Sequence, residues 1–196
     1  FTRSSWICTF FAASFARVGA IAFNAILSAG IHLGETVAVF GQGVLGLLVT
    51  RLATLNGGTV VAVDTIAKRR EAALRFGAGA ALVPKNAAEE IRRRTAGRGA
   101  DVAIEISGVY AALHEAVRAV APGARVVASG FYQGDGVGLR LGEEFHHNRV
   151  QLVSSQISSA PLGLAQRWSP ERMHRTVVEL IAAGRGPDRL GELALE

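Results

Sequence analysis

Residues 36–53 read TVAVFGQGVLGLLVTRLA and carry three glycines, Gly41, Gly43 and Gly46, between a β-branched apolar run and a helical apolar run. With 23 glycines in 196 residues, about 0.3 accidental G-x-G-x-x-G matches are expected in a chain of this composition. The triplet therefore means nothing without its setting. The setting is specific. TVAVFG (36–41) reads as a buried strand and VLGLLVTRLATLN (44–56) as the helix after it, closed by NGG. A turn this tight needs a residue without Cβ, which Gly41 supplies. Gly43 would admit an anionic group to the backbone, and Gly46 would let the helix lie close on the strand. The unpaired first-turn amides of the helix would then face that anion.

The strand–helix alternation continues outward. TVVAVD (59–64) is a second strand. AKRREAALRFGA (67–78) is an amphipathic helix expected to turn Ala73, Leu74 and Phe76 inward and Lys68, Arg69, Arg70 and Glu71 outward. AALV (80–83), DVAIEISG (101–108), RVVASG (125–130) and RVQLVSSQ (149–156) give four more strands. AAEEIRRRTA, YAALHEAVRAVA (110–121) and SPERMHRTVVELIAAG (169–184) read as helices, the last with Ser169 as N-cap, Pro170 at its first position and Gly184 as its stop. The expected fold class is α/β, a Rossmann doubly wound six-stranded parallel sheet with helices on both faces. The expected divisions are an N-terminal segment and leading helix over 1–30, the dinucleotide-binding domain over 31–184, and a weakly patterned tail over 185–196.

An acid that binds ribose is expected about 20 residues beyond the glycines, at the end of the second strand. Asp64 lies 21 residues after Gly43 and closes that strand. Its alternative role is a helix N-cap. A carboxylate there accepts hydrogen bonds from ribose hydroxyls and repels a 2′-phosphate, which favours NAD over NADP. The cations Lys68, Arg69 and Arg70 work against that preference. Ser107, Ser129 and Ser154 stand at or near strand C-termini, the edge where open α/β sheets bind ligands.

Other chemistry is sparse. The net charge is +5, almost all of it from arginine. The dense run RRRTAGR (92–98) reads as a solvated helix end, and without interleaved aromatics it gives no case for nucleic acid. Cys8 is the single cysteine, so no internal disulfide forms, and a reducing, cytoplasmic setting is expected. Adjacent His146 and His147, read as strand residues, would point to opposite faces and not share a metal. His32, His114 and His174 read as surface or helix-face residues. WICTFFAASFA (6–16) is apolar, but Arg17 and Asn24 interrupt it, so a buried leading helix is expected rather than a membrane span. Phe1 at the start and Met173 as the sole methionine suggest a piece of a longer protein.

Four phrases together, AGIHLGETVAVFGQGVLGLLVTRLA, VVAVDTIAKRREAALRFGAGAALV, GRGADVAIEISG and LHEAVRAVAPGARVVASG, resemble the coenzyme-binding domain of the medium-chain dehydrogenase/reductase superfamily, the alcohol dehydrogenase-like enzymes. The resemblance runs from about Ala16 to Gly184. It implies a pyrophosphate cradle of Gly41, Gly43, Val44, Leu45 and Gly46. It also implies ribose binding by Asp64 with Arg69 alongside, and a cleft lined by Ser107 and Gly108. A nicotinamide end would be approached by Ser129, Gly130 and Phe131, with Ser154 and Ser155 nearby. It implies an oxidoreductase moving a hydride between nicotinamide and an alcohol or carbonyl substrate, a GroES-like substrate domain ahead of this one, and a homodimer formed through the sixth strand. Zinc-dependent members place a Cys or Glu 24 to 25 residues before the first glycine. Here that position is Ala16 or Arg17, so no zinc site is expected in this chain and no catalytic residue is assigned. The chain alone is expected to bind cofactor and turn over poorly. The alternative is a non-catalytic dinucleotide-binding or redox-sensing module.

Overall fold

A computed structural model describes residues 3–182, with side chains over 16–180. The expected Gly184 stop and the 185–196 tail lie outside the described residues. A long helix, α1 (Arg3–Ala29), precedes β1 (Thr36–Phe40), α2 (Val44–Leu55), β2 (Thr59–Val63), α3 (Ala67–Arg75) and β3 (Ala80–Leu82). The second half holds α4 (Ala87–Arg94), β4 (Ala100–Glu105), α5 (Tyr110–Ala119), β5 (Val120–Ala128), β6 (Gln151–Ser154) and α6 (Pro170–Ala182). All strand pairs are parallel, in the order β3-β2-β1-β4-β5-β6. This is the doubly wound order expected of six alternating units, and the ligand crevice falls at the C-terminal ends of β1 and β4, where the winding reverses.

The apolar runs are continuous because both faces of the sheet are covered. Val37 and Val39 of β1 join Val60, Leu47, Ala25, Ala73 and Ile104 in a core under α1, α2 and α3. Ala38 and Phe40 point the other way, into a second core with Val61, Ile91, Leu113, Val117 and Val126 under α4 and α5. α6 packs on α1. Its N-cap is as expected, with the Arg172 amide donating to Ser169 Oγ at 3.2 Å. No helix among the described residues is long and apolar enough to cross a membrane.

Three local readings change. In α3, Leu74 is half exposed and Ala72 takes its place inside with Ala73 and Phe76. Residues 72, 73 and 76 share one helical face, and position 74 is turned away from them. α5 ends at Ala119, and the chain passes directly into β5, with Val120 paired to Ala100 and a register shift before Val102. Pro122 and Gly123 sit in that irregularity rather than beyond a longer helix. His146 and His147 lie on a helical turn after Leu141–Phe145, not on a strand, with their rings edge-to-face at 5.6 Å.

Candidate functional site

The β1–α2 turn is built from what its glycines lack. Gly41 has φ +94°, and a Cβ on it would come within 2.9 Å of Ser107 Cβ. A Cβ on Gly46 would lie 1.8 Å from the Gly41 carbonyl oxygen, so only glycine lets α2 start against the turn. Gly43 differs. Its backbone suits any residue (φ −68°, ψ −170°), and a Cβ there would meet nothing within 4 Å. The space before the first turn of α2 is open, and α2 has no side-chain cap on its N-terminal amides. Val44 is exposed and Leu45 half-buried beside it.

Asp64 is 6% exposed, and its carboxylate is held from two directions. The Gln42 amide donates to Oδ2 at 2.6 Å, and the Ile66 amide donates to Oδ1 at 2.8 Å. The N-cap alternative is therefore only half met: Ile66 is the α3 N-cap residue, and Asp64 reaches across to the glycine turn as well. Arg69 Nη1 lies 4.0 Å from Asp64 Oδ2. Arg70, expected to be solvated, instead donates to the Asp64 and Thr65 carbonyls at 2.9 Å each.

A cavity of about 650 Å³ opens here, and Gly41, Asp64, Arg69 and Ser107 all line it, joined by Lys85 at the β3–α4 connection. Four of the expected positions thus meet at one cavity. Gly108, Gly130 and Phe131 lie beyond its lining but touch one another: a Cβ on Gly108 would sit 2.6 Å from the Phe131 oxygen, and one on Gly130 would sit 2.2 Å from the Gly108 nitrogen. The Phe131 side chain is 84% exposed. Ser129 Oγ is buried with no hydrogen-bond partner among the described residues. Ser155 continues the ladder past β6, its amide donating to the Ala128 carbonyl at 3.0 Å. An open cradle at Gly43, a buried acid at the cavity rim and an unpartnered hydroxyl at the β5 end are compatible with a long, polar, anionic ligand.

Among the described residues, three fully buried polar side chains, Gln42, Thr50 and Glu105, escaped the sequence reading. Gln42 fills the variable position of the glycine motif, donating to the Val39 carbonyl at 3.1 Å and accepting from Thr50 Oγ1 at 2.9 Å. Glu105, the last residue of β4, accepts from the Ser107 amide at 2.7 Å, the Gly108 amide at 3.2 Å, and the hydroxyls of Ser107 and Tyr132. Burial, and then Glu105 itself, push the Tyr132 phenol well above its ordinary value. The signal available in sequence was an acid at the end of the apolar run VAI, at the far end of the strand from Asp101, a position where acids are rarely buried without partners.

Elsewhere the charges are consumed locally. Arg92 donates to the Arg118 and Val120 carbonyls, Arg93 and Arg94 pair with Glu90, and Arg98 pairs with Asp101. Hydrogen bonding by Arg93, followed by its charge and by Arg94, holds Glu90 down at about 2. Among the described residues no three His, Cys, Asp or Glu side chains come together to hold a metal ion. Positions 16 and 17, where the resemblance places a zinc ligand, hold Ala and Arg, neither of which ligates zinc.

Comparison with known proteins gives the family. The family model described as zinc-binding dehydrogenase matches residues 44–180. D-guloside 3-dehydrogenase of Escherichia coli (strain K12) is 36% identical over 166 residues, which is 83% of this chain and 47% of that protein. An alcohol dehydrogenase of Cupriavidus necator is 37% identical over 116 residues, covering 58% of this chain and 32% of the relative. Among solved structures, a protein assigned as a zinc-binding dehydrogenase from Sinorhizobium meliloti 1021, bound to NADP, superposes with TM-score 0.73 at 26% identity. That match covers 89% of this chain and 49% of the other. The chain thus spans between about a third and a half of the length of these relatives. On the matched residues and the shared architecture, the chain belongs to the zinc-binding dehydrogenase family, within the medium-chain dehydrogenase/reductase superfamily.

Proposed function

We propose that residues 31–184 form the nicotinamide dinucleotide-binding domain of an alcohol dehydrogenase-like oxidoreductase, with NAD preferred over NADP. One observation carries the reading: the Gln42–Asp64 hydrogen bond of 2.6 Å sets the glycine turn and the strand-end acid together on the rim of one cavity. In this reading Gly41, Gly43, Val44, Leu45 and Gly46 cradle the pyrophosphate, and Asp64 accepts from the adenosine ribose. Arg69 stands beside that ribose, Ser107 and Gly108 wall the cleft, and Ser129, Gly130 and Phe131 approach the nicotinamide. The cofactor, when bound, supplies hydride transfer to or from an alcohol or carbonyl carbon. The chain's own residues bind it, orient it and set the local charge.

The NAD preference rests on charge. The Asp64 carboxylate would repel a 2′-phosphate, and the nearest cation, Arg69, already faces that carboxylate at 4.0 Å. Arg70 is committed to backbone carbonyls. Arg118 also lines the cavity but is paired with Glu89, Glu115 and Glu144, which leaves Lys85 as the lining cation that opposes this preference. Calorimetric titration of the chain with NADH and NADPH tests the reading. NADH is expected to bind more tightly, and Asp64→Ala to weaken it by about 10- to 100-fold, the worth of hydrogen bonds to a charged group. Tighter NADPH binding overturns the preference, and binding of neither overturns the assignment.

The chain alone is expected to bind cofactor without steady turnover; sustained alcohol oxidation by these 196 residues would refute that. The parent is expected to be cytoplasmic and to pair two-fold through β6, the exposed sheet edge.

A further inference from the structure

A fully buried carboxylate needs its charge answered. Among the described residues Glu105 has no cation as a hydrogen-bond partner and relies on four donors from two loops. The Ser107 amide and hydroxyl and the Gly108 amide belong to its own β4–α5 loop. The Tyr132 hydroxyl belongs to the segment after β5. Between them the two backbones touch with no side chain interposed. A Cβ on Gly130 would lie 2.9 Å from Glu105 Oε2 and 2.2 Å from the Gly108 nitrogen. Tyr110 adds a second tie, its hydroxyl donating to the Gly134 carbonyl at 2.8 Å and its ring 5.2 Å from that of Tyr132. On the opposite side, Ser107 is the residue against which Gly41 packs.

A contiguous line therefore runs from Gly41 through Ser107 and Glu105 to Tyr132, Phe131 and the 130–134 segment. Gly41 belongs to the turn assigned to pyrophosphate, and Phe131 to the end assigned to nicotinamide. We propose that Glu105 is a positioning residue that joins the two loops walling the dinucleotide cleft, so that occupation of the pyrophosphate turn orders the segment that receives the other half of the ligand. This rests on the dinucleotide reading. Glu105 itself touches neither reacting atom; it acts through Ser107, Gly108 and Tyr132.

The test compares the full chain with its Tyr132→Phe and Glu105→Gln variants, using NADH and ADP-ribose as probes in calorimetry and amide hydrogen exchange. In the unaltered chain ADP-ribose is expected to slow exchange at residues 130–134 as well as at the glycine turn. In Tyr132→Phe that remote protection is expected to vanish. NADH should then bind about tenfold more weakly while ADP-ribose changes by less than about twofold, as loss of one hydrogen bond to a charged group at the far end requires. Parallel losses for both probes, or unchanged NADH affinity, overturn the proposal. Glu105→Gln, which removes an acceptor from both loops, is expected to weaken both probes; wild-type affinity for both overturns it. If the unaltered chain binds neither probe, the dinucleotide reading falls. Exchange without ligand then decides the loop coupling: joint acceleration at 107–108 and 130–134 in Tyr132→Phe supports it, and acceleration at 130–134 alone refutes it.

Discussion

Asp64 follows β2 and Glu105 ends β4, and each carboxylate binds its own loop and the loop of a neighbouring strand. Asp64 takes amides from Ile66 and Gln42, and Glu105 takes donors from Ser107, Gly108 and Tyr132. In sequence only Asp64 could be singled out, because its distance from the glycines has a chemical meaning. Glu105 has no such ruler: its partners are 2, 3 and 27 residues away, and the farthest arrives only through the sheet. The three glycines were legible as a motif, and the duties read for Gly41 and Gly46, a tight turn and a close helix, agree with the packing at each. Gly46→Ala is expected to cost about 3 kcal/mol or more, because backbone and not a flexible side chain occupies the space. Gly43→Ala is expected to leave the thermal midpoint within about 2 °C yet weaken NADH at least about tenfold, if a phosphate occupies the open space. Denaturant unfolding and calorimetry on both variants separate the two effects. A Gly43→Ala protein that binds normally would remove the pyrophosphate from that position.

At the scale of elements, periodicity located all six strands but misplaced edges and one face. α3 is short, so a single wrong inward residue, Leu74, was not corrected by repeats of the pattern. The start of β5 was hidden because Pro122 and Gly123 look like a helix stop and turn out to lie within an irregular strand. Asp101, near the start of β4, ties that strand to β1: its Oδ2 accepts the Thr36 amide at 2.8 Å, and Arg98 pairs with the same carboxylate. Burial would raise its pKa, but the Arg98 and Thr36 hydrogen bonds outweigh that and hold it below the ordinary 3.8. A depressed carboxylate stabilises the fold fully above its unfolded value, and the contribution is lost as pH falls through the lower folded value. Thermal midpoints followed downward from pH 6 are expected to fall below about pH 4, and less steeply in Asp101→Asn. An identical slope in the variant would place the acid sensitivity elsewhere.

At the scale of the whole molecule, the parallel pairing follows from alternation, because parallel neighbours require crossovers, and the order β3-β2-β1-β4-β5-β6 is the Rossmann arrangement that six such units match. The edges follow too. β6 presents Gln151, Leu152 and Ser154 exposed, with Leu152 at 38%. Light scattering at micromolar concentration is expected to return the mass of two chains, and the mass of one would refute pairing through β6. What the pattern could not convey is how the outer layer is joined. Asn24 of α1 donates to the carbonyl of Gln156, just past β6, at 2.8 Å across 132 residues of sequence.

The packing of α1 on α6 also fixes an order of events during synthesis. A Cβ on Gly19 would lie 2.4 Å from Val177 Cγ1, so α1 meets α6 with no room for a side chain at that position. The ribosome delivers α1 first and α6 roughly 150 residues later, about ten seconds or more at ordinary elongation rates. Through that interval the face of α1 that α6 will cover has no mate, and any early collapse of β1 to β5 leaves it bare. A nascent chain stalled before residue 170 would therefore be a substrate for holding chaperones, and release of α6 would be the step that ends its exposure.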